Sequence, residues 1–339
     1  MHGLMQSNML CKWRNKIDKS LYEKCNLCPR KCNVNRLSGE KGFCKTGHEP
    51  LLSCGLLHYG EEPPVTGRGG SGTLFFAGCT LRCKFCQNYQ LSREIVGGVT
   101  EKDLLSDIMI ALQEKGAENI NFVTATHFLP SVAEAVSIAK NKGLKIPLVW
   151  NSSGYETDET VEMLLEFIDI FLPDLKTMDH DLSGKLFNAK DYPQFATSAI
   201  LKIADRKKTD FSLIEKEGVM KEGVIVRHLV LPGEIKNTKE VLKWFSENVK
   251  DRAILSLMFQ YEPHEPLDSE AELPRRRIIE KEVDEVYELL DEYGIDDGFI
   301  QEFEEGSLWT PDFTKSMPFP GGREKPVWHY LDKNISLCE

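Results

Sequence analysis

Residues 73–88 read Thr-Leu-Phe-Phe-Ala-Gly-Cys-Thr-Leu-Arg-Cys-Lys-Phe-Cys-Gln-Asn. An apolar run over 73–78 leads straight into Cys79, Cys83 and Cys86, spaced C-x3-C-x2-C. The run predicts a buried strand, and Gly78 suits a tight turn after it. Three thiolates in one short loop can hold three corners of an iron–sulfur cube, whereas a 4Fe–4S electron carrier uses four cysteines. No fourth cysteine lies nearby downstream. One iron would therefore stay open to a small chelating ligand, as catalytic metal sites keep a position open. Zinc would need a fourth ligand and usually takes paired cysteines at other spacings.

Outward from this loop, apolar runs alternate with amphipathic helical patterns. Further strands are predicted at 119–126, 146–153, 168–176, 224–233 and 253–261. Helices are predicted between them, the first capped by Thr100 with Asp103 three residues on, and others near 131–142, 157–168, 237–249 and 274–293. The stretch 179–210 reads as helical but broken. Six strand–helix units with near-continuous apolar strands predict a parallel α/β sheet covered by helices. Six is short of the eight that close a full barrel, so a partial barrel and a doubly wound sheet both satisfy the pattern. In either, ligands gather at the C-terminal strand ends, where the cysteine loop sits. The chain divides into a Cys-rich segment 1–60, a core 61–305 that opens with a Pro/Gly-rich connection, and a tail 306–339.

Nine of the ten cysteines fall at or before position 86, which points to metal ligation rather than scattered core thiols. Cys25, Cys28, Cys32 and Cys44 are spaced C-x2-C-x3-C-x11-C and can fill a tetrahedral site. Zinc and a second iron–sulfur cluster both satisfy that set, and Arg30, Lys31 and Arg36 would offset its charge. Cys54 is a spare candidate, while Cys11 and Cys338 have no evident partners. The formal charge of -11 disfavours a nucleic-acid binder. No apolar run approaches the roughly 18 residues of a membrane span, and the first residues do not read as a signal peptide. A cytoplasmic protein with reduced thiols is expected.

The segment SGTLFFAGCTLRCKFCQNYQLS resembles the radical S-adenosylmethionine (SAM) superfamily, and within it the activating enzymes of glycyl radical enzymes. CNLCPRKCNVNRLSGEKGFCKTG, EEPP and VTATHFLPSV are similar to the uncharacterised subgroup named as pyruvate formate-lyase activating enzyme-related. The resemblance covers about residues 20–305 and implies a partial (β/α)6 barrel of the TIM-like kind with an N-terminal Cys-rich extension. It implies that the amino and carboxylate groups of SAM chelate the open iron of a 4Fe–4S cluster. An electron then releases methionine and a 5′-deoxyadenosyl radical, which abstracts hydrogen from a substrate. The substrate is unidentified, with a glycyl residue of a protein partner as one candidate and a flavodoxin or ferredoxin as electron donor. Such an enzyme would be an oxidoreductase.

Strand ends supply candidate SAM contacts. Thr126 lies where superfamily members often carry Gly-Gly-Glu, a pattern this chain lacks; His127 follows it. Asn151, Ser152 and Ser153 can bond the ribose hydroxyls or cap a helix. Asp174 and Lys176, in PDLK, are similar to an Asp-Leu-Lys of the activating enzymes and can serve a ligand or each other. Arg227 within an apolar run must be paired, with the SAM carboxylate or with a neighbouring acid. Gln260 and Tyr261 fit the same mouth, and Phe85 can stack on adenine or simply pack. Two other classes compete with an enzyme: a two-cluster electron carrier or redox sensor, and a zinc-stabilised interaction module.

Overall fold

The computed structural model describes residues 17–263, 275–301, 310–319 and 324–336. Cys11, Cys338, the first residues read against a leader and the start of the 306–339 segment lie outside the described residues. The elements are β1 (Leu51–His58), α1 (Pro63–Thr66), β2 (Ser71–Phe76), α2 (Tyr89–Ser92), β3 (Gly98–Val99), α3 (Lys102–Glu114) and β4 (Ile120–Val123). There follow α4 (Leu129–Lys142), β5 (Leu148–Ser152), α5 (Asp158–Leu165), β6 (Ile170–Pro173), α6 (His180–Phe187), α7 (Tyr192–Arg206) and α8 (Phe211–Glu217). The chain continues with β7 (Gly223–Leu229), α9 (Ile235–Asn248), β8 (Ile254–Met258), α10 (Glu280–Tyr293), β9 (Gly298–Gln301) and β10 (Pro326–His329).

The strands form one sheet in the order β10-β1-β2-β4-β5-β6-β7-β8-β9, with β3 also on β1. From β2 to β9 along this order every pairing is parallel. β1 is antiparallel to β2, β3 and β10. The sheet is not closed, so the architecture is a partial TIM-like barrel, as expected. The six expected parallel strands are present, and β9 adds a seventh. β1, β9 and β10 were not evident from sequence, and β1 ties residues of the Cys-rich segment into the sheet.

Alternation along the strands sorts the side chains. Leu148, Trp150, Phe171, Val224, Val226 and Leu255 pack outward, in the same core as the apolar stripes of α3, α4 and α9. Val149, Ile170, Leu172, Ile225 and Ile254 form a separate inner core with Val65 of α1, which fills the N-terminal end of the barrel. The parallel strands are therefore apolar on both faces, which is why they read as unbroken runs. His228, of opposite parity to Arg227, bonds Leu175 O (2.8 Å) and Thr238 Oγ1 (3.0 Å) in the outer layer.

One local expectation is corrected and another is met. Thr100 does not cap α3: Glu101 holds the N-cap position, and Thr100 Oγ1 donates to Gly98 O at 3.1 Å. The broken helical stretch is two helices, separated where Asn188 takes a left-handed backbone (φ 52°) at the end of α6.

The barrel interior carries one costly feature. Arg227 on β7 donates through Nε to Glu62 Oε1 (2.7 Å), and its Nη2 bonds both Glu61 and Glu62. Glu61 also accepts from Asn121 Nδ2 at 2.7 Å. Burial works against the Arg227 charge, but the two carboxylates outweigh it and hold the guanidinium well above its usual range. Removing one partner strands a buried charge. Arg227→Met is therefore expected to lower the unfolding free energy by about 3–5 kcal/mol, read by denaturant titration. A loss below about 1 kcal/mol would mean that the group is solvated.

Candidate functional site

A cavity of about 500 Å³ opens at the C-terminal ends of the parallel strands and runs into the barrel. Cys79, Cys83 and Cys86 all line it. Gly78, at φ 87°, turns the chain out of β2 and starts the cysteine loop. Arg82, at φ 55°, keeps the loop tight, and the N–H groups of Leu81 and Arg82 each donate to Cys79 Sγ at 3.3 Å. Such bonds favour sulfur in its thiolate form. Burial acts the other way and pushes the Cys79 thiol up to about 11 and Cys83 higher still. Burial thus favours the neutral thiols, and a bound metal would favour the thiolates, the usual coupling of metal binding to thiol ionisation.

Asn151 and Ser153 line the cavity at the end of β5, Asp174 and Lys176 beyond β6, and Gln260 and Tyr261 beyond β8. Asp174 and Lys176 form an ion pair at 2.7 Å. Burial opposes the Lys176 charge, yet Asp174 and Cys83 together hold the ammonium above its usual range. Tyr192 fixes these ends: its hydroxyl reaches Ser153 O (3.0 Å) and Asp174 O (2.9 Å) and accepts from the Lys176 N–H (3.0 Å). Phe85 meets Tyr261 and Phe187 edge-on at 6.3 and 6.0 Å, so it packs and lines the cavity at once.

Three candidates sit differently. Arg227 lines the cavity with its guanidinium taken by Glu61 and Glu62, the acid pairing that sequence left open. Thr126 is buried with its hydroxyl donated to Glu156 Oε1 (2.7 Å), and Thr124 lines the cavity in its place. Thr124 has φ 58°, which breaks the strand alternation and turns residues 126–128 away from the cavity as a short 3-10 turn. His127 is a buried structural histidine. Its Nε2 bonds Ala77 O (3.0 Å), and burial helped by Arg36 pushes it down to about 3. Cys54 lies within β1, packed with Phe75, Phe313 and Phe319.

The profile of the Radical SAM superfamily matches residues 73–268, more than half of the chain. The chain belongs to the radical SAM superfamily. An uncharacterised protein of Methanocaldococcus jannaschii is 30% identical over 292 residues, covering 83% of this chain and 78% of that protein. Among solved structures, Streptococcus suis SuiB bound to S-adenosylmethionine aligns with TM-score 0.48 and 13% identity over 67% of this chain and 48% of SuiB. This chain thus spans about half the length of SuiB. A radical SAM methyltransferase from Sphaerobacter thermophilus aligns with TM-score 0.48 and 15% identity, covering 70% of this chain and 67% of that one. A domain of a pyruvate-formate lyase-activating enzyme from Bacteroides vulgatus aligns with TM-score 0.35 and 15% identity, over 49% of this chain and 86% of the domain.

Membership of this superfamily implies a 4Fe–4S cluster and SAM. The Cys79, Cys83 and Cys86 loop fits the cluster: it offers three sulfurs and no fourth, on the wall of a cavity. Among the described residues no three His, Cys, Asp or Glu side chains converge on one metal ion. Sulfurs at the corners of a cube stand further apart than sulfurs on one ion. No described helix is long and apolar enough to cross a membrane.

Glu156 is a buried residue behind the cavity wall that sequence reading missed, because it follows Gly154 and Tyr155 in what reads as a polar loop. Burial pushes its carboxyl up to about 7, against the opposing hydrogen bond from Thr126. The folded chain thus keeps this proton to higher pH than the unfolded chain does. Stability contributed here is full below the ordinary carboxylate range and falls as pH rises toward 7, by on the order of 3 kcal/mol in all. Glu156→Gln is expected to flatten the dependence of Tm on pH between 5 and 8 and to exceed the parent's Tm above pH 7. Parallel curves for the two proteins would contradict this.

Proposed function

We propose that this chain cleaves SAM reductively at a 4Fe–4S cluster on Cys79, Cys83 and Cys86, and that the product radical takes hydrogen from a substrate in the barrel cavity. The observation that carries this reading is the placement of three cysteines, without a fourth, on a cavity shared with the polar ends of β5, β6 and β8. An electron carrier would have no use for a cavity of about 500 Å³ beside its thiols. When bound, the cluster supplies the electron that splits SAM into methionine and a 5′-deoxyadenosyl radical.

The residues of the chain bind, orient and exclude water. Asn151 and Ser153 sit where they can hold the ribose hydroxyls. Asp174 and Lys176, locked to each other and to the strand ends by Tyr192, present one charge of each sign to the amino and carboxylate groups of the same molecule. Phe85 and Tyr261 give an aromatic wall beside the cysteines, fitted to an adenine face. Thr126 acts from behind the wall through Glu156, and Arg227 holds the cavity floor through Glu61 and Glu62. Within the superfamily we assign an activating-enzyme-like oxidoreductase. A glycyl residue of a protein partner is the leading substrate, and a flavodoxin- or ferredoxin-type protein the electron donor.

Anaerobically reconstituted protein with dithionite and SAM is expected to yield 5′-deoxyadenosine, and Cys83→Ala to yield none. Asn151→Ala removes up to two ribose bonds worth about 1 kcal/mol each. It is expected to weaken SAM binding roughly 5–30-fold by calorimetry. Reconstituted protein that binds four irons and leaves SAM uncleaved would overturn the proposal.

A further inference from the structure

Among the described residues, the segment before β1 has no strand of its own and only two short 3-10 turns, Lys19–Tyr22 and Arg36–Ser38. Its chain is folded around four sulfurs. Cys25 N–H donates to Val34 O (3.0 Å), Asn33 N–H to Cys25 O (3.1 Å) and Lys31 N–H to Cys28 O (3.0 Å). Phe43 N–H donates to Cys32 Sγ at 3.3 Å, and Thr46 Oγ1 lies 3.3 Å from Cys44 Sγ. Lys31, Asn33 and Lys45 take left-handed backbones (φ 42°, 56° and 64°), a cost that non-glycine residues bear only where the surroundings enforce it. An element this small needs a staple, and these thiols are all free.

Two buried donors point to what the staple is. Arg36 is fully buried, with Nη1 3.8 Å from Cys25 Sγ, and its Nε has no hydrogen-bond partner. Arg82, in the loop between Cys79 and Cys83, likewise has a buried Nε without a partner. Inorganic sulfide is an acceptor that zinc would not bring. The four N-terminal thiols lie close together, near enough for Cys28 to feel the charge of Cys25, Cys32 and Cys44.

The two thiol groups lie back to back. A Cβ on Gly78, the residue before Cys79, would meet Cys44 O at 2.9 Å and Thr46 Cγ2 at 2.5 Å. Arg30 of the N-terminal segment donates through Nε to Thr80 O (3.1 Å) in the cysteine loop. Its guanidinium lies 3.8 Å from the centre of the Phe43 ring, and that of Arg82 lies 5.6 Å from the same ring. Arg36 bonds His127 O, and the His127 ring bonds Ala77 O.

We propose that Cys25, Cys28, Cys32 and Cys44 hold a second iron–sulfur cluster that relays single electrons to the cluster on Cys79, Cys83 and Cys86 across the Cys44–Gly78 contact. The proposal rests on the assignment of the triad given above. One electron from a reduced flavodoxin- or ferredoxin-type donor reduces the N-terminal cluster and leaves it again for the second cluster; no group or bond is transferred.

The test uses the full chain, reconstituted anaerobically with iron and sulfide. About eight irons are expected, four per cluster, with electron paramagnetic resonance showing two coupled signals, only one of them altered by SAM. On rapid mixing with reduced flavodoxin, the SAM-insensitive signal should rise first and decay as the other grows. A Cys28→Ser/Cys32→Ser variant should keep about four irons and the SAM-sensitive signal, and lose at least tenfold in the rate of reduction by flavodoxin. Arg36→Gln, which keeps all four sulfurs, should shift the midpoint potential of the SAM-insensitive signal alone. Bound zinc with only four irons, simultaneous appearance of the signals, or an unchanged rate in the double-serine variant would each overturn the relay. Should that variant not fold, the order of signals in the parent protein decides. If neither signal responds to SAM, the assignment of the triad fails while the iron count still judges the N-terminal site.

Discussion

Side chains on a strand point alternately to its two faces, and in a sheet as curved as this one a face is a place. Every second residue from β5 to β7 looks inward: Val149, Ile170, Leu172 and Ile225 at depth, then Asn151, Asp174 and Arg227 toward the open end. The residues between them, such as Leu148, Trp150, Phe171 and Val226, look outward to the helices. This one constraint converts the apolar lower half of each strand into a packed floor and the polar upper end into a binding wall. The cysteine loop inherits its position from the same rule, because β2 ends at the rim and Gly78 carries the chain over it.

The interior pairs its charges locally. Arg227 is matched by Glu61 and Glu62, and Asp174 by Lys176. The first pairing is made inside the barrel, where an unmatched charge costs several kcal/mol, and the second at its rim. The carboxylates that meet Arg227 come from the loop that plugs the N-terminal end, so the plug and the fifth parallel strand are held by one bidentate contact. The rim above is then free to present a neutral, zwitterion-like pair toward the space beside the thiols.

Much of this was legible in the sequence. Runs such as residues 146–153 and 224–233 marked the parallel strands because burial on both faces removes polar residues from them. β1 was hidden by its place after four cysteines. β9 was hidden by its length of four residues and its half-exposed pattern. At the site, Asn151, Ser153, Asp174 and Lys176 could be read from strand ends, since alternation continues there. Thr126 could not: one left-handed residue, Thr124, reverses the faces, and no sequence rule announces a positive φ on threonine. The partners of Arg227 lie about 165 positions earlier, and Glu156 owes its raised pKa to burial, which sequence alone does not display.

The sheet ends in β9 on one side and β10 on the other, with no pairing between them. A closed barrel fixes its own girth, because strand number and shear determine the diameter. Here no ladder joins the last strand to the first, so the curvature can relax or tighten while every existing strand pair stays intact. The bore is then set by what fills it, from the plug below to whatever binds above. A scaffold of this kind can admit a bulky guest through its seam and still grip a small one, without remaking a single backbone hydrogen bond.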